Sequence, residues 1–148
     1  MIHNVESMEL DRYRVYLQGH LIDHQFPERD NPKFIEARAD SAWETFTSMR
    51  LQGHSVIMAE EAAMRTLLAG LYVSRYDIVY NIFEEELWTR FPSDFWPAMT
   101  DHMLMQPEVN DILDRYKLDG DFLSRETHQP MLDELLGVIT EILDGYGL

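Results

Sequence analysis

Apolar residues recur three and four positions apart along this chain, and no run alternates with polar residues long enough to make a strand. Leu10, Tyr13, Leu17 and Leu21, with His24 as a weaker member, form one stripe between residues 7 and 24. Ser7 is placed to cap that helix and Phe26-Pro27 to close it. Asn31-Pro32 predicts the next start, Asn as cap and Pro at the first helical position. Ile35, Ala39, Ala42, Phe46 and Met49 then face inward and Asp40 and Glu44 face water, with Trp43 at the border and Gly53 as a left-handed stop.

The stretch 59–83, AEEAAMRTLLAGLYVSRYDIVYNIF, is expected to be the hub. No charge falls between Arg65 and Arg75, and the helix predicted from Val56 to Leu71 is apolar round most of its circumference. That pattern predicts burial on several sides, with Gly70 where a backbone approaches closely. Ser74 and Asp77 have capping-box spacing and open a helix carrying Ile78, Val79, Ile82, Phe83 and Leu87, which ends before Pro92.

Shorter pieces follow. Ser93 or Asp94 caps a segment with Phe95, Trp96, Met99 and Met103; Pro107 starts another with Val109, Ile112, Leu113 and Tyr116; Asp119-Gly120 is a turn. Pro130 begins the last helix, whose face is Leu132, Leu135, Leu136, Ile139, Ile142 and Leu143, with Gly145 as its end and Tyr146 and Leu148 packing back. The fold class is all-α: a compact bundle of about six or seven helices, expected as a single domain over residues 1–148. Arg12-Tyr13-Arg14-Val15-Tyr16 resembles Arg75-Tyr76-Asp77-Ile78-Val79, and each leads to Phe-Pro and a helix with Pro near its start. Two related three-helix halves would produce that pattern.

Charge narrows the partners. The net charge is −15, from 27 acids and 12 bases. Residues 1–80 hold 12 acids and 8 bases (−4), and residues 81–148 hold 15 and 4 (−11). Such a chain is repelled by nucleic-acid phosphates and anionic lipid, so neither direct nucleic-acid binding nor a membrane partner is expected. The segment MIHNVESMELDRYR has no apolar core of a signal peptide, and a cytoplasmic location is the expectation. The absence of Cys excludes a disulfide scaffold, a thiolate zinc site and a cysteine nucleophile.

The segment from Leu10 to Leu17, then FIEARADSAWETF (Phe34 to Phe46), then LLAGLYVSRYD (Leu67 to Asp77) resembles a small uncharacterised Bacteroidetes family whose members are often carried on conjugative elements. The likeness spans nearly the whole chain and is tightest over residues 34–80. It implies an all-helical bacterial domain, and brings no activity, cofactor or catalytic residue with it.

Chemistry is sparse. His20 and His24, four apart beside Asp23, place two imidazoles on one helix face as a zinc site needs, but Leu21 stands where HExxH has Glu; half-buried histidines beside a core are the plainer reading. No Glu has a His three residues later, as a di-iron bundle requires. The Asp119-to-Glu126 run is too short for a calcium loop, and neither a phosphate-binding Gly-rich loop nor a nucleophile elbow is present. No catalytic residue and no cofactor are expected. Tyr72, Arg75, Tyr76, Asp77 and Tyr80, and separately Trp88, Phe95 and Trp96, combine residue types common at interaction hot spots. Capping and core packing explain the same residues more simply.

The expected function is a small non-enzymatic protein-interaction or accessory protein, its partner unspecified and a homodimer one form of it. Two alternatives stand beside it. One is an acidic DNA mimic, which needs residues 84–86, 108–114 and 133–144 on one face. The other is a metal-dependent enzyme built on His20, His24 and carboxylates.

Overall fold

Seven α-helices and three 3-10 turns make up the secondary structure of the described residues, and none of those residues lies in a strand. The structure is a computed structural model and describes residues 2–119 and 121–148. Contacts divide the chain into two compact units, Met1–Leu71 and Tyr72–Leu148, each with its own apolar core.

The first unit holds α1 (Ile2–Asp23), α2 (Pro32–Leu51) and α3 (Val56–Leu67). Helix α1 begins before Ser7, so Ser7 lies inside it and not at its start. Its chain reverses through Gln25, a non-glycine residue at φ 55°, which returns Phe26 to the core; a 3-10 turn, Pro27–Asp30, follows. Helix α2 starts as its sequence predicts. The Asn31 side chain accepts from the Phe34 amide at 3.1 Å, Pro32 opens the first turn, and Gly53 takes φ 90° beyond the end. Tyr13, Leu17 and Leu21 of α1, Ile35, Ala39 and Ala42 of α2, and Ala63 and Leu67 of α3 close one core. The small alanines let α2 approach both neighbours closely.

Two expectations for α3 need correction. It ends at Leu67, not Leu71, and its apolar circumference is not buried all round: Ala59, Ala63 and Leu67 are inside, whereas Ile57 is 80% exposed and Val56 and Met58 also face out. Gly70 has φ 76°, and a Cβ there would meet nothing within 4 Å. The glycine serves the left-handed turn, not a close backbone approach.

The second unit holds α4 (Arg75–Glu86), α5 (Trp96–Leu104), α6 (Pro107–Asp114) and α7 (His128–Gly145). Ser74 caps α4, its hydroxyl accepting from the Asp77 amide at 2.9 Å. Ser93 and Asp94 form no cap; with Phe95 they make a 3-10 turn before α5. Gly120 of the predicted Asp119-Gly120 turn lies outside the described residues. Helix α7 begins two residues before Pro130 and buries Met131, Leu135, Ile139 and Leu143. It ends at Gly145 as its sequence predicts, with Gly147 at φ 76° beyond; Tyr146 reaches back to His102, rings 5.6 Å apart, though it and Leu148 stay exposed. The core joins Met131, Leu135, Ile139 and Leu143 to Ile78, Val79, Ile82 and Phe83 of α4, Met103 of α5 and Val109, Ile112 and Leu113 of α6.

The hub read from residues 59–83 is therefore divided, because α3 and α4 serve separate cores. In both units a Phe-Pro pair leads through a 3-10 turn to a helix with Pro in its first turn (Phe26-Pro27 to Pro32, Phe91-Pro92 to Pro97). The second unit carries one α-helix more than the first.

Candidate interaction surface

His20 and His24 lie side by side on α1, their rings 4.7 Å apart, with Phe26 stacked 5.7 Å from His20. The Nε2 of His20 is 2.7 Å from the Leu71 carbonyl. A carbonyl only accepts, so Nε2 carries the proton, and the ring pins the turn after α3 to α1. Among the described residues no three His, Cys, Asp or Glu side chains are placed to hold a metal ion.

The residues singled out around Ser74 divide by role. The Arg75 guanidinium donates to Asn110 Oδ1 at 3.1 Å and pairs with Asp114, tying the start of α4 to α6. Tyr76 and Tyr80 stack at 5.9 Å, and the Trp96 ring meets Tyr80 edge-on at 6.0 Å while its indole N–H donates to the Phe91 carbonyl. Burial and the nearby Asp101 raise the Tyr76 phenol above its usual range. These three rings form a half-buried ladder. Tyr72, Trp88 and Phe95 instead stand exposed, and none makes a ring contact with the ladder.

The acidic segments meet only in part. Glu85, Glu86 and Asp133 line a small cleft of about 90 Å³ between α4 and α7, over a floor of Ile82, Leu132 and Leu136. Asp114, Asp144 and Glu134 are instead neutralised by Arg75, Arg90 and Arg115. The Tyr116 hydroxyl and Arg115 hold Glu134 below the usual carboxylate range, and Arg125 does the same for Asp119.

A surface that the sequence reading passed over lies on the outer side of α1 and α3. Met8 and Val15, each 70% exposed, align with Tyr16 and Ile22 along α1, opposite the buried stripe. Val56 and Ile57 are exposed on α3, and Met64 lies on the same side. Between the two patches Arg12 bridges Glu9 at 2.7 Å and Glu60 at 2.9 Å, and the Tyr13 hydroxyl donates to Glu60 at 3.3 Å. The pairings 12–60 and 20–71 have α1 and α3 running the same way, with the Arg12–Glu60 ion pair between the two patches. The signal was present in the sequence: Met8, Val15 and Ile22 are seven apart, a second apolar stripe on a helix that already had one.

This centre gives a pH-dependent prediction. Burial, with the Glu60 carboxylate close by, pushes the Tyr13 phenol up to about 12 from an ordinary 10. Between those values the folded chain keeps a proton that the unfolded chain has lost. The stabilisation is whole below pH 10 and drains as pH rises toward 12. Tyr13→Phe should cost about 1 kcal/mol at neutral pH, from the lost hydrogen bond, and flatten the alkaline limb of stability in urea titrations. Parallel decline of both proteins over that range would contradict the assignment.

Fold and surface together define an all-α chain of two helical units with exposed apolar residues on α1 and α3. Within that class it belongs to the family described as domain of unknown function DUF1896, whose model matches residues 5–148. It is similar to the crystal structure of protein PG0816 from Porphyromonas gingivalis: 28% identity, TM-score 0.91, covering 97% of this chain and 96% of that one. No curated protein matches the chain. The uncharacterised all-helical family read from the Phe34–Phe46 and Leu67–Asp77 stretches is the one found.

Proposed function

We propose that this chain is a non-enzymatic interaction or accessory protein that acts through protein contacts. The observation that supports this is the apolar exposure of α1 and α3. A soluble helix ordinarily turns a polar face to water, whereas here Met8, Val15, Tyr16, Ile22, Val56 and Ile57 do so on one unit. Clusters of exposed apolar residues of that kind mark contact sites. The exposed Tyr72, Trp88 and Phe95 offer further anchors of the type favoured at interfaces, while Arg75, Tyr76, Tyr80 and Trp96 make contacts within the second unit and the Asp77 amide is capped by Ser74. The reading includes a single domain in the cytoplasm, without direct contact to nucleic acid or membrane. No described helix is long and apolar enough to cross a bilayer, and the −15 charge opposes phosphate surfaces.

The test is capture from a lysate of the native host, using the chain and an Ile57→Glu, Trp88→Ala variant as paired baits. A protein recovered in near-stoichiometric amount by the first and lost with the second is the expected result. Equal recovery by both baits, or no specific protein at all in a chain that also fails to self-associate, defeats the reading.

A further inference from the structure

We infer that the occupant of the outer face of α1 is the same face of a second copy, packed antiparallel about a two-fold axis. The inference rests on the proposed function and specifies its contact. Two independent observations carry it, charge placement and a bare backbone.

The exposed stripe Met8, Val15, Tyr16, Ile22 has Arg12 toward one end and Asp23 toward the other, eleven residues and roughly 16 Å apart along the helix. Asp23 is exposed and makes no ion pair among the described residues, and Arg12, though bridged to Glu9 and Glu60, has donors to spare. Parallel pairing would set Arg12 on Arg12 and Asp23 on Asp23. Antiparallel pairing joins Arg12 of each copy to Asp23 of the other, and the symmetry makes the bridge twice. That arrangement centres the axis between residues 17 and 18, which brings Tyr16 of one copy over Gly19 of the other.

Gly19 is the second observation. It sits inside a helix, where glycine costs about 0.5–1 kcal/mol relative to alanine. Nothing in the chain demands it, since a Cβ at that position would meet no atom within 4 Å and its φ is not left-handed. Gly19 nonetheless lines the outer groove with Val15, Tyr16, His20, Asp23 and His24. A bare backbone facing outward there is accounted for by close approach of an incoming ring. In a chain of net charge −15, residues 8–23 hold three acids and two bases, so like-charge repulsion across this face is small.

Sedimentation velocity of the full chain over a concentration series tests the inference. A dimer is expected. Gly19→Glu should weaken it roughly thirtyfold and leave the circular dichroism and melting of the chain intact, because the new side chain has open space in the monomer. Asp23→Arg should weaken it too, by setting like charges together. Gly137→Glu, which adds the same charge at an exposed glycine of α7, should leave it unchanged. A monomer at every concentration, or a dimer indifferent to Gly19→Glu and Asp23→Arg, overturns the inference. A monomer that still captures a different protein through Ile57 or Trp88 overturns the second copy alone and leaves the proposed function standing.

Discussion

Phe83→Ala is expected to lower the stability of the chain by about 3–5 kcal/mol. The ring is fully buried at the centre of the second unit, edge-on to Phe91 at 6.4 Å and in one core with Met103, Leu113, Leu135 and Ile139. Four helices converge on that core, so truncation leaves a hole whose walls belong to different elements. Collapse onto it would have to shift several helices at once, which places the cost toward the upper part of the range. A domain has only about 5–15 kcal/mol in hand, so a large share of the total is lost. Phe83→Leu, which keeps most of the volume, should cost less than half as much. Guanidinium titrations of the three proteins decide it. If Phe83→Ala loses under about 1.5 kcal/mol, the residue is not the centre of the core described above.

What the sequence made legible was local. Asn31-Pro32 and Ser74-Asp77 are caps because a short polar side chain reaches an amide three residues on, which needs no knowledge of the remaining fold. The buried stripes of α1, α2 and α7 follow from helical spacing in the same way. The misreadings came where spacing is silent on what lies opposite. Residues 56–71 are apolar on more than one side, and periodicity does not say whether the second side is covered; in α3 it is open. Gln25 makes a left-handed turn without the glycine that would announce it. The sharper consequence concerns the candidate site. Aromatic and charged residue types drew attention to Arg75, Tyr76 and Tyr80, yet Arg75 is committed to Asn110 and Asp114 across 35 and 39 residues of sequence. The outer face of α1 was hidden by its plainness, because Val15 and Ile22 on a helix that already has a core stripe look like ordinary scatter.

Arg38→Ala should cost about 2–3 kcal/mol, more than its position on the rim of a small unit would suggest. The last carbonyls of a helix lack the full set of amide partners that its interior has. The Arg38 guanidinium, reaching from α2, donates from one nitrogen to the carbonyls of Leu67 at 3.2 Å and Ala69 at 2.7 Å, with Thr66 at 3.5 Å. Its Cζ lies 4.9 Å from the centroid of the Phe34 ring, a cation–π contact that holds the group in place. A positive charge at a helix C-terminus also meets the negative end of the helix dipole. Removing the side chain takes these charge-assisted hydrogen bonds away together, and that is the source of the penalty. Arg38→Lys keeps the charge and a donor nitrogen but loses the planar group that lies over Phe34, so it should recover roughly half of the loss. From α1, His20 holds the Leu71 carbonyl of the same turn. If the two side chains pin one rigid corner, the double variant with His20→Ala will lose measurably less or more than the sum of the singles, by about 0.5 kcal/mol or above. Strict additivity, or an Arg38→Ala protein as stable as its parent, would show that the turn after Leu67 holds its shape without either tie.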